Sequence, residues 1–528
     1  MSADVIFVGG RIFTLDPVHP RAEAVAVEGG RISAVGSTAD VLSQRSARTD
    51  VVELRGRTLA PGFYDAHQHQ LYAGLARRQV DGRAGGIAEL LHRVRSAAAG
   101  AAPGSWIEGA GYDERVLAEG RPPTREELDG VAPGHPVLIT RTCGHAMIVN
   151  SRGLAAAGVD RSTPEPPGGR IGRDRRTREP TGVLHERAME LVRRVVPQPG
   201  VDALEAAILD EAEANLRLGI TSVWEPSVEP AHVEAYRRLD RDGRLPIRVT
   251  MAHKKVLRSG EEVPLPTPFR GPRLSLVAVK LFQDGAIGAR TAAVSGGYAG
   301  DPENQGVLIW SQPELDTLVA EIHQSGLQVS VHAIGDRAIA SALSAIESAL
   351  ASAPRDDHRH RIEHCGLAGG DLVSRIARSG VVPVLQPIFL HFHGDTYLAN
   401  LTQSAAKTLY PVRSLVERCQ AVAGSSDGPV VPDRNPLAGI RTAITRLTVE
   451  GRLAAPHEAV ALETALALYT TGAAFAAHEE TEKGSLSPGK LADLVVLDHD
   501  LNAVPPAALG DVGVDLVFVD GTLVVGTP

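Results

Sequence analysis

Eight short apolar strands separated by helical sequence constrain this 528-residue chain more than any other feature. They read at 58–65, 219–225, 246–252, 275–281, 327–332, 359–364, 381–386 and 420–426. Ala-, Leu- and Arg-rich stretches such as 313–325 and 336–351 lie on either side of the fifth. Neighbouring parallel strands need a crossover, and the usual crossover is a helix, so this alternation predicts an α/β fold with a parallel sheet. Eight units predict closure into a (β/α)8 TIM-like barrel. The interval from about 75 to 215 is too long for one crossover and reads as an insertion. It holds a charged, Pro/Gly-rich passage at 162–181 and a further strand candidate at 136–141.

Both ends of the chain read as β-structure instead. Near the start, runs 5–8 and 11–15 flank Gly9-Gly10, and runs 24–27 and 31–35 flank Glu28, Gly29 and Gly30. Near the end, a run at 492–497 precedes 514–519, which turns at Asp520-Gly521 into 522–525. Apolar runs around Gly-containing turns are hairpin signals. Neither end alone carries enough residues for a comfortable core. The economical solution is a small β-sandwich built from both termini: 1–57 as its first part, 58–479 as the barrel, and 480–528 as its second part.

Composition narrows the function classes. Lys plus Arg number 54 and Asp plus Glu 63, a formal charge of −9, and the pI is near 6.1. An acidic balance argues against nucleic acid as a partner. No apolar run approaches the roughly 18 residues of a membrane span. The opening MSADVIFVGG has no basic segment followed by a long apolar one, so no secretory signal is read. Three scattered cysteines form no disulfide framework, and a reducing, cytoplasmic setting is expected. The expected partner is a small molecule, with a second copy of the chain as a candidate.

The chemistry concentrates at strand ends. In Pro61-Gly62-Phe63-Tyr64-Asp65-Ala66-His67-Gln68-His69, side-chain alternation turns His67 and His69 to the same side. Later strands end in His332, in His364 and, through Gly424-Ser425-Ser426, in Asp427. The C-terminal ends of barrel strands converge on one mouth. Four imidazoles and a carboxylate suit Zn²⁺ and related divalent metals, as one ion or two, with a position left for water. Lys280 ends the fourth strand, where an unpaired ammonium is costly. It either pairs with an acid such as Asp284, or is carboxylated by CO₂ and bridges two metals. Glu363 precedes a ligand candidate, so alternation turns it away from the metal, towards a barrel–helix contact. His391 and His393 follow the seventh strand, as exposed loop residues or as substrate contacts.

These residues resemble the amidohydrolase superfamily of metal-dependent hydrolases. The resemblance runs through PGFYDAHQH, VKLFQDGAIGARTA, VHAIGDRAI, RIEHC, GSSDGPV and the closing KGSLSPGKLADLVVLD. WIEGAGYD, PTREELD, Gly144-His145 with Asn150-Ser151, and PTGVL are similar to the branch that includes N-substituted formamide deformylase. The resemblance implies that His67 and His69 bind one metal and His332 and His364 a second. It makes Lys280 the carboxylated bridge, and Asp427 a metal contact that handles the proton. Trp224-Glu225 departs from it, where a less bulky residue followed by Asp is expected, and this bears on substrate shape. His145 is a candidate oxyanion or substrate contact, and Tyr112 a candidate pocket residue or a packing residue of the insertion.

The activity this implies is hydrolysis of a non-peptide carbon–nitrogen bond, in an amide or N-substituted formamide, by metal-activated water. Asp427 would act first as base and then as acid. A cyclic-amide (hydantoin-like) hydrolase shares the dinuclear site. A deaminase would carry a Glu shortly after the fifth-strand His, where Ala333, Ile334, Gly335 and Asp336 stand instead. A non-catalytic metal-binding barrel would be expected to have lost ligands.

Overall fold

The computed structural model describes residues 2–114, 116–141, 146–166, 168–256 and 261–527. They divide into two compact units, one of residues 1–71 with 208–528, the other of residues 72–207.

The first unit contains the barrel. Its eight parallel strands are Phe63–Asp65, Ile220–Val228, Arg248–Lys254, Leu274–Phe282, Gln328–Ala333, Arg361–His364, Val382–Leu385 and Ala423–Gly424, adjacent in chain order. The second strand is buried along its whole length and the fourth along all but its last residue, as expected of a sheet covered on both faces. The ring closes between first and last strands. Ala66 N donates to Gly424 O (3.2 Å) and Asp427 N to His67 O (2.7 Å). The buried Asp65 carboxylate accepts from Ser426 N (3.0 Å) and Ser426 Oγ (2.5 Å). Outer helices include Gln312–Gln324, started by Ser311 and Glu314 in a capping box, and Asp336–Ser352.

The strand expected over 58–65 divides at Gly62. Thr58–Pro61 belongs to the terminal sheet, and only Phe63–Asp65 to the barrel. A Cβ at Gly62 would lie 2.4 Å from Thr221 Oγ1, so glycine is what lets the chain cross there. The terminal sheet has eight strands drawn from residues 5–61 and 494–525. It curls upon itself: Phe7 and Phe518 lie three strands apart, yet their ring centroids are 5.0 Å apart. The hairpin expected at Gly9-Gly10 is instead a bulge within one strand, Val5–Phe13. Gly9 takes φ +73°, and a Cβ at Gly10 would lie 2.4 Å from Arg57 O.

The second unit has its own six-stranded sheet. It runs in order through Gly169–Arg173, Pro180–Glu186, Ala146–Val149, Val137–Arg141, Ile107–Tyr112 and Val80–Asp81. Its core gathers Leu90, Val94, Ile107, Leu128, Val137 and Ile148. Among the described residues of the chain, no helix is long and apolar enough to cross a membrane.

Candidate metal centre

The segment beyond the first barrel strand is held through its backbone. His67 N donates to Asp65 Oδ1 (3.2 Å), Gln68 N to Trp224 O (3.0 Å) and His69 N to Gly428 O (2.9 Å). The Gln68 amide exchanges two hydrogen bonds with Asn215 (3.0 and 2.7 Å). With the segment fixed, both imidazoles converge on one oxygen. His67 Nε2 lies 3.4 Å and His69 Nε2 3.3 Å from Asp427 Oδ1.

Three imidazoles have their protons placed by acceptors behind them. His67 Nδ1 donates to Glu363 Oε2 (2.6 Å), His332 Nε2 to Gly285 O (3.0 Å), and His364 Nδ1 to Gln386 Oε1 (2.8 Å). Carbonyl and carboxylate oxygens only accept, so His67 Nε2, His332 Nδ1 and His364 Nε2 keep their lone pairs. The rings are contiguous, with centroids 5.6 Å apart for His67–His69, 5.0 Å for His67–His364 and 4.5 Å for His332–His364. Lys280 Nζ lies 5.1 Å from the centroid of Phe282, whose ring neighbours His332 at 5.3 Å.

Burial sets the charges. It pushes His67 down to about 4 and His332 down to about 3, with Lys280 adding to both shifts. His364 is held well below its ordinary value, again mainly by burial. These imidazoles are neutral near pH 7, the form that binds metal. Burial works to raise Asp427, but His69, 3.3 Å from Oδ1, and the imidazoles of His67 and His364 hold it below the usual carboxylate range. Lys280 is lowered to about 8, chiefly by burial, opposed by Glu363 and Asp427.

The donor set fits a divalent cation. Donor atoms of His67, His69 and Asp427 lie within 4.8 Å of one another. His67 Nε2, Asp427 Oδ1 and Lys280 Nζ are buried without hydrogen-bond partners. Leaving such an atom unpaired costs about 1–3 kcal/mol, and a cation shared by imidazole and carboxylate removes that cost.

The pairing of Lys280 with Asp284 does not occur. Asp284 accepts from the backbone N–H groups of Ala293 (2.9 Å), Ile334 (3.0 Å) and Gly335 (2.8 Å), which pin the loops around His332. Glu363 also departs from expectation, facing the barrel interior. The strand turns at its end, with φ +72° at His364 and +45° at Cys365. The turn releases His364 from the alternation that had placed Glu363 outside. The Arg361 and Glu363 charges, two residues apart, share the interior face and pair at 2.7 Å. That spacing of opposite charges on a barrel strand is the signal sequence reasoning passed over; Gln386, at the end of the seventh strand, gave none.

The remaining candidates separate. Trp224 lies in the barrel interior beneath the guanidinium of Arg361, and Glu225 accepts from Leu71 N and Tyr236 Oη. His391 and His393 lie on a helix, Ile388–Asn400, where a loop was one expectation. Residues two apart on a helix point to opposite sides. His393 packs against Phe389 (5.3 Å), which stacks on His364 (6.2 Å), and it feels the charge of Asp427. His391 feels Arg441, Asp433 and Asp395. Tyr112 is buried in the core of the second unit. His145 lies outside the described residues.

Known proteins resemble the chain along most of its length. YtcJ of Bacillus subtilis (strain 168) is 32% identical over 533 residues, 98% of this chain and 99% of that one. N-substituted formamide deformylase of Arthrobacter pascens is 30% identical over 537 residues, 98% of each. An uncharacterized metal-dependent hydrolase of Pyrococcus furiosus superposes with a TM-score of 0.78 at 28% identity, covering 95% of this chain and 99% of the other. The sequence profile of the amidohydrolase family matches residues 50–525, and the chain belongs to that family.

Proposed function

We propose that this protein hydrolyses a linear amide or N-substituted formamide with a divalent metal, Zn²⁺ being the first candidate. The observation that carries the reading is the gathering of His67, His69, His332, His364 and Asp427, with three ring protons already turned away from the shared space. The similarity to N-substituted formamide deformylase supports the substrate class. His67, His69 and Asp427 would hold one ion, and His332 and His364 a second. Lys280, lowered to about 8 by burial, would add CO₂ through its neutral amine with release of a proton and offer the resulting carboxylate to the metal. A divalent cation there supplies Lewis acidity towards water and a carbonyl oxygen.

The residues of the chain do the rest. Asp427 takes the proton of the attacking water and returns it to the departing nitrogen, which leaves poorly until protonated. Gly285 O, Gln386 and Glu363 hold three imidazoles in one tautomer through both steps. His393, beside Phe389, borders the substrate. The purified protein should contain divalent metal and turn over members of a panel of N-substituted formamides and linear amides, and chelation should abolish turnover. Lys280→Ala should lower the metal content. Turnover of cyclic amides alone would favour the hydantoin-like reading. A fully metallated protein inactive on the whole panel would overturn the proposal.

A further inference from the structure

We propose that Glu363 and Arg361 are positioning residues that set the metal affinity of the centre through His67. The inference rests on the metal-centre reading and adds the residues that orient one of its ligands.

Both side chains are fully buried, at 0% exposure. A carboxylate persists there because its oxygens are used. Oε1 accepts from Arg361 Nε (2.7 Å) and Ser330 Oγ (2.7 Å), and Oε2 accepts from His67 Nδ1 (2.6 Å). The same guanidinium donates through Nη2 to Ala66 O (2.6 Å), the carbonyl just before His67, and its carbon lies 3.8 Å over the Trp224 ring. One cation therefore fixes both the backbone that delivers His67 and the carboxylate that turns its ring. The parts come from the second, fifth and sixth strands and from the segment beyond the first, so the arrangement exists only when these elements have come together.

The consequence is chemical. With Nδ1 donating to a carboxylate, Nε2 is left aimed at Asp427, and the carboxylate raises the basicity of the ring. A role confined to filling the barrel would affect folding without passing through His67.

The test uses full-length metal-free protein and Zn²⁺ alone, with affinity read by competition against a chromophoric chelator. Glu363→Gln should weaken Zn²⁺ binding about 10–100-fold. In a His67→Ala background the same change should cause no further loss, because the route through the ring is gone. Additive losses, or Glu363→Gln binding like wild type, would overturn the proposal. If Glu363→Gln alone does not fold, Arg361→Met combined with Glu363→Gln removes both buried charges together and is expected to fold with the same loss of affinity. Wild-type protein that binds no Zn²⁺ would refute the metal centre itself and this inference with it, an outcome distinct from wild-type binding that the variants leave unchanged.

Discussion

At Asp427 the backbone takes φ +58°, and at His364 φ +72°. Holding a residue with a Cβ in this region costs about 1–3 kcal/mol, so the surrounding structure must impose it. At Asp427 the hydrogen bond from its N–H to His67 O does so, and the carboxylate is thereby brought to the two imidazoles. Asn tolerates the same backbone and nearly the same volume. Asp427→Asn should therefore fold and retain metal while kcat falls about 10²–10⁴-fold, the usual worth of a placed acid–base group. Wild-type turnover in the metallated variant would remove Asp427 from the proton path. These two residues also mark where the sequence was legible. Alternation puts His67 and His69 on one side, and both do meet Asp427, although the strand ends at Asp65 and the backbone that presents them is held by hydrogen bonds to its neighbours. The orientation of Glu363 could not be read in this way, because it was counted from His364, whose positive φ breaks the count, and such a backbone turn leaves no trace in the identity of a non-glycine residue.

Elements were legible where they are long and apolar, and ambiguous where a residue serves two sheets. Leu274–Phe282 and Gln328–Ala333 match their expected ranges to within a residue, whereas 58–65 reads as one run because the terminal sheet and the barrel both bury apolar side chains. The lead into the sixth strand carries a feature of its own. His323, on the helix Gln312–Gln324, donates from Nε2 to Ala353 O (2.6 Å) and accepts at Nδ1 from His360 Nε2 (2.8 Å). His360 Nδ1 accepts from Val329 N (3.0 Å), and His358 donates from Nε2 to Ser379 O (2.8 Å). A second proton on His360, at Nδ1, would face the Val329 N–H. Burial lowers His358 and His360 below the ordinary imidazole value, with His360 well below it; Arg355 lowers both further, and His478 also lowers His360. The folded protein thus binds fewer protons here than the unfolded chain. Stability is complete above about pH 6.5 and falls as pH drops below it, by at most about 1.4 kcal/mol per pH unit for each ring. Urea midpoints at pH 7.5 and 5.0 should separate more in wild type than in His360→Gln, whose amide can accept and donate at the same spacing. Equal separations would show that this cluster does not carry the acid sensitivity.

At the scale of the barrel and the terminal sheet, the two are joined by charge as well as by the crossing at Gly62. Arg248, on the third barrel strand, donates to Asp493 through Nε (2.7 Å) and Nη2 (3.1 Å), to Pro272 O (2.8 Å), and to Asp520 at the tip of the last hairpin. Arg273 reaches the same Asp520 (2.7 Å), while Asp493 O accepts from Gly62 N (2.8 Å). Both acidic partners come from the last 50 residues of the chain, which is why a terminal sheet could be expected from composition and turns while the strap that seats it could not: the partners are 245 and 272 residues apart in sequence. Such a pair is not in itself a strong source of stability, because desolvation offsets most of the attraction, but breaking it on one side leaves a bare buried charge. Arg248→Met should therefore cost about 3–5 kcal/mol, read as a lower urea midpoint at unchanged slope. Arg248→Met with Asp493→Asn should recover much of that loss, since no uncompensated carboxylate then remains at position 493. Zn²⁺ affinity should change little in either variant, because the strap lies at the seam with the sheet while the ligands gather at the opposite ends of the strands. If the double variant is no more stable than the single one, the cost lies in lost packing of the guanidinium and its stem, and the charge argument for the seam fails.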